Sequence, residues 1–263
     1  METKAHLLNH LARALHLTSY LELATVSTGL TFADVDEPSL AIRDRYLGRA
    51  TPDFDDGSPV TASTSTSSVA RVVDEALRDD PTKRYDLIFV DPWHTYEVSM
   101  ADTLAAARLL DHRGILVVHD VLPHDVSLIG PHYQPDEWCG STFHAFMDLI
   151  RDIPWNQRAI IDIDYGCGIL LAGCASSGIA TSAMEQDDAW TQWDEAGTNE
   201  QRHEVLVTQA SSLCQIISAD EVASWINSVV EDSDASLSLG DGSVQVSALT
   251  IPRHPCRPTT VSA

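Results

Sequence analysis

Two aspartates and two histidines follow short apolar runs, and these residue types at these positions suggest chemistry. The first run, LIFV, stops at Asp91, and His94 follows shortly after it. The second run, ILVV, ends in His119 and Asp120. Carboxylates bind divalent cations, and imidazole exchanges protons near neutral pH. The four side chains therefore suggest a cation site, a general base, or both, provided that the fold brings them together.

The segment between the two runs predicts the elements that must position these side chains. Apolar residues recur at helical spacing from Val98 to Leu110, and Gly114 is placed for a short connection into the second run. Continuous apolar runs of this length are typical of strands buried on both faces of a parallel sheet. In doubly wound sheets, ligands bind outside the carboxyl ends of the strands. We therefore expect the four side chains to gather on one rim of the sheet.

The remaining pattern extends this strand–helix–strand unit to a full α/β fold. We predict a Rossmann-like, doubly wound and mostly parallel sheet with a C-terminal helical extension. The predicted limits are an α/β domain over 1–175, a helical extension over 176–230 and a flexible tail over 231–263. Further predicted elements are helices over 4–17, 30–35, from 69 and over 142–150, strands over 18–24, 40–46 and 60–63, paired β segments over 158–173 about a turn at 164–166, and two helical segments over 200–230.

Composition restricts the classes of partner. The 263 residues carry a formal net charge of −23, which argues against binding to a nucleic acid backbone. No apolar run approaches the roughly 20 residues of a membrane span, and the N-terminus has no signal-peptide pattern, so we expect a cytoplasmic protein. The five cysteines are unclustered and predict neither a zinc site nor a redox dithiol. The C-terminal helices could form a homo-oligomer or simply cover the sheet.

Several motifs resemble the class I S-adenosylmethionine-dependent methyltransferases. VDPWHTYE followed by LLDHRGILVVHD looks like a bacterial subgroup of small-molecule O-methyltransferases, in which strand four carries D-x-x-H-x-Y-E and strand five ends in H-D. YLELATVSTGLTF looks like the first motif, and WCGSTFHAF and DIDYGCGILL look like later blocks. The resemblance implies the class I methyltransferase fold, S-adenosylmethionine as cofactor, and methyl transfer to a hydroxyl of a small-molecule acceptor.

The resemblance also implies which residues bind the cofactor. The family loop has the form E-x-G-x-x-x-G, and here Ala24 stands at the first glycine position. That departure motivates an alternative function, a non-catalytic or repurposed member that binds cofactor or a partner without methyl transfer. A nicotinamide-dependent oxidoreductase is disfavoured because GxGxxG is absent after the first strand. The predicted cofactor-binding residues are Glu22, Ala24, Thr25, Gly29, Asp91 and Trp93.

Metal-dependent relatives use an acid at the end of strand four and an acidic pair at the end of strand five. Asp91, His119 and Asp120 occupy the corresponding positions and form the predicted site for Mg or Mn. His119 stands where relatives have a carboxylate, and nitrogen suits zinc, iron or manganese better than magnesium. The alternative is that Asp91 and Asp120 only cap helices or hydrogen-bond the loops that follow them. His94 and His119 are the predicted catalytic bases, and either could take the hydroxyl proton.

Overall fold

A computed structural model of the chain describes residues 3–24, 31–47, 69–134, 137–153, 155, 157–172 and 188–237. Its centre is a seven-stranded mixed sheet with helices on both faces. The strands are β1 Ser19–Ala24, β2 Ile42–Leu47, β3 Tyr85–Asp91, β4 Leu110–His119, β5 Gln157–Asp162, β6 Cys167–Leu171 and β7 Gln215–Ser218. The helices are α1 Lys4–Ala14, α2 Thr31–Asp34, α3 Val69–Asp79, α4 Tyr96–Ala107, α5 Thr142–Asp152, α6 Asp188–Glu195, α7 Asn199–Leu213 and α8 Val222–Leu237, and a 3₁₀ turn covers Val126–Ile129.

The strand order is β2-β1-β3-β4-β6-β5-β7, and the strands from β2 to β4 are all parallel. β6 is antiparallel to β4 and β5, and β7 returns parallel to β5. The chain changes direction across the sheet between β1 and β3, where Ala24 lies opposite Asp91. Such a topological switch point leaves a crevice at the carboxyl ends of the strands. The carboxyl end of β3 therefore lies at the position where sheets of this kind commonly bind ligands.

Alternate residues of the central strands enter two separate cores, one on each face. Leu87 and Phe89 of β3 pack into the core that contains α1 and α8. Ile88 and Val90 pack into the core that contains α3, α4 and α5. The period-two alternation of a strand sends successive side chains to opposite faces, so a strand covered on both sides must be apolar throughout. Burial on both faces accounts for the continuous apolar run of β3, which ends at Asp91, the last residue of the strand.

The N-terminal helix brings a basic residue to the same rim. α1 begins at Lys4, and the Thr3 side chain accepts a hydrogen bond from the backbone N–H of His6 at 3.2 Å. Such a cap satisfies one of the free N–H groups of the first turn and fixes the start of the helix. Leu7 and Leu11 are fully buried against the sheet. Burial of this face holds the first turn of α1 beside the carboxyl end of β3.

The predicted doubly wound, mostly parallel sheet is confirmed, as is the antiparallel pair around the turn at 164–166. Three elements differ from the prediction. Leu110 begins β4 and does not end a helix, and α8 runs to Leu237, past the predicted start of the tail at 231. Ile216 and Ile217 form β7 and not part of a helix. Tertiary pairing with β5 decides this short apolar run, whose periodicity alone fits either state. The predicted strand at 60–63 and residues 238–263 of the predicted tail lie outside the described residues, and the domain limits remain predictions. No helix in the described ranges is long and apolar enough to cross a membrane.

Candidate active site

Two strand ends deliver three of the four predicted side chains to one rim. β3 ends at Asp91 and β4 ends at His119, while Val90 and Val118 are paired neighbours in the two strands. Asp120 follows β4 directly and has a left-handed backbone, with φ of 61°. A non-glycine residue in this conformation is uncommon and often marks a functional site. The turn leaves the Asp120 side chain buried beside its neighbours.

The two histidines face the same pair of carboxylates. His94 Nε2 lies 3.0 Å from Asp120 Oδ2 and 3.4 Å from Asp91 Oδ1. His119 Nδ1 lies 3.0 Å from Asp120 Oδ2 and 3.7 Å from Asp91 Oδ1, without the angles of a hydrogen bond. The predicted gathering of these four residues is therefore what the structure shows.

Backbone carbonyls hold the far nitrogen of each ring. His94 Nδ1 donates to the carbonyl oxygen of Trp138, and His119 Nε2 donates to that of Asp164 at 2.7 Å. A carbonyl only accepts, so the nitrogen that faces it carries the proton. In the neutral form of each ring, the other nitrogen then presents its lone pair to the carboxylates. Metal-binding histidines are typically oriented by an outer partner of this kind.

Two further residues complete the charge balance of the site. Lys4 Nζ lies 3.8 Å from Asp91 Oδ2 and 3.7 Å from Asp164 Oδ2. Asp164 Oδ2 also lies 3.5 Å from His119 Nε2. With both rings protonated, three cationic groups therefore face three carboxylates, and the group is neutral without a bound ion.

The pKa values follow from burial opposed by this pairing. Burial lowers the pKa of His94, but Asp120 and Asp91 more than offset it and raise the value to about 10. Burial also lowers the pKa of His119, and Asp120, Asp164 and Asp91 raise it well above the ordinary value. Burial raises the pKa of each of the two inner aspartates, yet the histidines hold both below the usual range. In the absence of another cation, both rings are therefore imidazolium ions at neutral pH.

The same atoms fit a divalent cation. Asp91, His94 and Asp120 can each offer one ligand atom, and these atoms all lie within 4.8 Å of one another. Adjacent ligands about 2.1 Å from an octahedral ion are about 3 Å apart, close to the 3.0 and 3.4 Å separations here. Binding a cation requires His94 to give up its proton. The sequence-based set did not include His94 as a ligand. His119 Nδ1 lies 3.0 and 3.7 Å from the same two carboxylates, and the predicted set of Asp91, His119 and Asp120 stays a prediction.

Glu22 lies on β1 with its carboxylate engaged. The side chain is 1% exposed, with Oε1 2.8 Å from Arg45 Nε and Oε2 accepting from the Tyr20 hydroxyl at 3.2 Å. Burial raises the pKa of Glu22, and Arg45 partly offsets this. Glu22 is held in place by two partners, and its role toward a cofactor remains a prediction.

The other predicted cofactor-binding residues lie at or near the switch point. Ala24 is the last residue of β1 and is buried opposite Asp91. Thr25 and Gly29 lie outside the described residues. Trp93 packs in an aromatic group, 5.1 Å from the Trp138 ring centroid in an edge-on arrangement. Contact of Trp93 with a cofactor therefore stays a prediction, while its packing role is visible.

Sequence reasoning missed the residues that hold the site together. Lys4 and Asp164 stand far from the central motif in the chain, and the Trp138 carbonyl carries no side-chain signal. Cys139 is another such residue. Its Sγ donates to Asp120 Oδ1 at 3.5 Å, and burial raises the pKa of the thiol well above its ordinary value. The thiol therefore keeps its proton and acts as a donor to Asp120.

Comparison with known proteins gives one family match and several distant structural similarities. Residues 10–121 match the family model described as a methyltransferase domain, whereas no curated protein is significantly similar to this chain. An O-methyltransferase from Bacillus cereus in complex with SAH is 13% identical, with a TM-score of 0.42, over 65% of this chain and 81% of that one. TomG, an O-methyltransferase from Streptomyces achromogenes involved in tomaymycin synthesis, was solved in complex with SAM. It is 17% identical, with a TM-score of 0.40, over 65% of this chain and 79% of that one.

A third similar structure is the MycE methyltransferase of the mycinamycin biosynthetic pathway, in complex with Mg, SAH and mycinamycin VI. It is 13% identical, with a TM-score of 0.39, over 77% of this chain and 53% of that one. These distant likenesses carry no inference of their own, because the matched family model and the observed strand order are the stronger findings. Residues 10–121 therefore match the methyltransferase domain family, and the sheet that contains them is doubly wound and mixed.

Proposed function

We propose that the protein transfers a methyl group from S-adenosylmethionine to a hydroxyl of a small molecule, assisted by a divalent cation. The observation that carries this proposal is the arrangement of Asp91, His94 and Asp120 at the carboxyl-end rim. Their ligand atoms lie within 4.8 Å of one another, and a backbone carbonyl fixes the far nitrogen of the imidazole. This contact places the proton on Nδ1, so that the lone pair of the neutral ring lies on Nε2, the atom a cation would need.

Asp91, His94 and Asp120 would hold the cation. Mixed oxygen and nitrogen donors favour manganese over magnesium, because magnesium prefers oxygen ligands throughout. The cation would lower the pKa of an acceptor hydroxyl and hold the acceptor in place. The Asp120 carboxylate is buried and the Asp91 side chain is 23% exposed, so water competes poorly for Asp120 and a cation can reach the site from the side of Asp91.

The cofactor would lie across the switch point between β1 and β3. Glu22, Ala24, Thr25, Gly29, Asp91 and Trp93 stay the proposed contacts. S-adenosylmethionine would supply a methyl group that is already reactive, so positioning of the acceptor oxygen accounts for most of the rate enhancement.

His119 is the residue we propose as general base. Its Nδ1 faces the two inner carboxylates, and Asp164 holds its Nε2. A base must start neutral, and a cation on those carboxylates would remove much of the attraction that keeps His119 protonated. The proton would then pass from the acceptor hydroxyl to Nδ1. His94 takes this role only where it does not bind the cation.

Calorimetric titration tests cofactor and cation together. We expect S-adenosylmethionine to bind the purified chain, and Mn²⁺ to bind with a higher affinity than Mg²⁺. Asp120→Asn should weaken Mn²⁺ binding by at least about 100-fold, because it removes a charged ligand from a buried site. Asp162→Asn is the matched control, since Asp162 ends β5 on the same sheet and is exposed. Equal Mn²⁺ affinity in wild type and Asp120→Asn would exclude the proposed cation site.

A non-catalytic member of the fold is the second candidate. The specific observation in its favour is that Lys4, His94 and His119 already balance the three carboxylates, so the site is neutral as it stands. Failure of both S-adenosylmethionine and Mn²⁺ to bind at millimolar concentration would favour this candidate. Cofactor binding without any cation dependence would instead keep methyl transfer and leave proton removal to the histidines alone.

A further inference from the structure

The segment Trp138–Ser141 lies against both His94 and Asp120, and we refer to it as the WCGS segment. We infer that the WCGS segment positions these two side chains, and that Cys139 and Gly140 are the positioning residues within it. The consequence for cation affinity rests on the proposed function, whereas the orientation of His94 does not. Different contacts orient the two side chains, one set for His94 and another for Asp120.

The WCGS segment holds His94 at two points. The Trp138 carbonyl accepts from Nδ1 of the ring, and the backbone N–H of Ser141 donates to the His94 carbonyl at 2.7 Å. One contact fixes the rotation of the ring and the other fixes the backbone that carries it. These two contacts together orient the His94 ring so that Nε2 faces the carboxylates of Asp91 and Asp120.

Gly140 allows the approach that these two contacts need. Its φ is +52°, a left-handed conformation that residues with a side chain rarely adopt. A Cβ at this position would lie 2.0 Å from the His94 carbonyl oxygen and 2.9 Å from the His94 Cβ. The obstacle is backbone, which cannot rotate away as a flexible side chain can. Any larger residue would therefore push the segment and His94 apart.

Cys139 reaches the second aspartate of the site. Its Sγ donates to Asp120 Oδ1 at 3.5 Å, and the residue is 1% exposed. This contact occupies the carboxylate oxygen that does not face the histidines. Asp120 Oδ2 is left to His94 and His119, each at 3.0 Å. The thiol therefore fixes the rotation of the carboxylate in the way that Trp138 fixes the imidazole.

The WCGS segment is itself firmly anchored. The backbone N–H groups of Cys139 and Gly140 both donate to the Leu128 carbonyl, at 2.9 and 3.0 Å. The Ser141 hydroxyl accepts from Asn199 Nδ2 at 2.7 Å, which ties the segment to the first residue of α7. These anchors come from outside the strands that carry Asp91 and Asp120. The position of the WCGS segment is therefore set independently of β3 and β4, and its contacts can constrain the orientations of His94 and Asp120.

Two pairs of variants test the inference, and Mn²⁺ affinity is measured in each by calorimetry. Cys139→Ala removes the donor, while Cys139→Ser keeps one. We expect about 10-fold weaker binding for the alanine variant, the lower end of the effect of losing an outer-sphere partner, and binding within about threefold of wild type for the serine variant. Cys214→Ala is the control, because Cys214 is also buried but follows the last residue of α7 and has no contact with Asp120 among those observed.

Gly140→Ala is paired with Gly130→Ala. Gly130 has φ of −54°, and a Cβ there would meet only the end of the Gln134 side chain at 3.0 Å. We expect about 100-fold weaker Mn²⁺ binding for Gly140→Ala and wild-type binding for the control. Thermal unfolding checks that each variant is folded. If Gly140→Ala does not fold, the Cys139 variants decide the inference.

A readout that needs no metal separates the two proposals. Nitrogen NMR of the metal-free protein, labelled at histidine, reports whether the His94 Nδ1–H is held in slow exchange. We expect this signal in wild type and in Gly130→Ala, and its loss in Gly140→Ala. Absence of Mn²⁺ binding in wild type with the expected NMR result would refute the cation site and keep the positioning role. Unchanged NMR signals in Gly140→Ala, or equal Mn²⁺ affinity in wild type, Cys139→Ala and Gly140→Ala, would overturn the positioning role.

Discussion

Asp102 is a carboxylic acid buried in α4, on the crossover that connects β3 to β4. It is 2% exposed, and burial is the cause of the shift in its pKa. Burial raises the pKa of Asp102 from 3.8 to about 7. The unfolded chain therefore ionises this group at lower pH than the folded protein does. The contribution of Asp102 to the free energy of unfolding is therefore most favourable below the pKa of this group in the unfolded chain. It becomes less favourable as pH rises through the folded-state pKa of about 7.

The magnitude follows from the size of this shift. A difference of roughly 3 pKa units at about 1.4 kcal/mol each gives a penalty of about 4 kcal/mol above pH 8. At pH 5 the penalty is only about 2 kcal/mol, because the folded acid is still protonated and neutral. Asp102→Asn replaces the acid with a neutral amide of nearly the same shape. We expect the variant to be more stable than wild type, with a gap that widens by about 2 kcal/mol between pH 5 and pH 8.5.

Urea unfolding at a series of pH values measures this gap directly. Glu97→Gln is the matched control, because Glu97 lies on the same helix and is exposed. The free energy of unfolding of the control should follow that of wild type within about 0.5 kcal/mol at every pH. An Asp102→Asn curve that stays parallel to wild type from pH 5 to pH 8.5 would refute the reasoning. That result would mean that the carboxyl is solvated or paired in the folded protein.

Other perturbations test the site and the sheet beneath it. Lys4→Gln removes a cation 3.8 Å from one proposed ligand, so Mn²⁺ binding should strengthen by about threefold or more in calorimetry, and weaker binding would contradict the assigned charge balance. Glu22→Gln leaves Arg45 facing a neutral amide, so the free energy of unfolding in urea should fall by about 2 kcal/mol, and an unchanged value would show that this pair contributes nothing. Gly168→Ala would place a Cβ 2.3 Å from the Phe146 ring, so the variant should lose about 1–3 kcal/mol in thermal unfolding, and an unchanged Tm would show that the ring moves aside freely.

The fold was predictable because its signals are local. An apolar run that ends in an acid marks a buried strand and its carboxyl end without any knowledge of the neighbours, as at Asp91 and Asp120. β7 was missed because its four residues carry no periodicity long enough to separate strand from helix. Pairing with β5 makes that choice, and pairing is a property of the folded sheet.

The candidate site was only partly predictable, for a related reason. Carboxylates and imidazoles at strand ends can be read from residue type and position. The orientation of each ring depends on a carbonyl supplied by a distant segment, Trp138 for His94 and Asp164 for His119. Carbonyls are present at every residue, so sequence gives no sign of which one matters. The sequence-based metal set consequently left out His94, which the compact group contains.

The sequence by itself determined the doubly wound sheet, the rim on which the site lies and the residue types gathered there. Hydrophobic periodicity dictates these features, and it acts over a few neighbouring residues. Only the tertiary structure decided that Lys4 would join the site, that Cys139 would face Asp120 and that Gly140 would press against His94. These contacts join residues far apart in the chain, and their energies depend on distance, angle and burial. Such quantities take values only once the chain has folded.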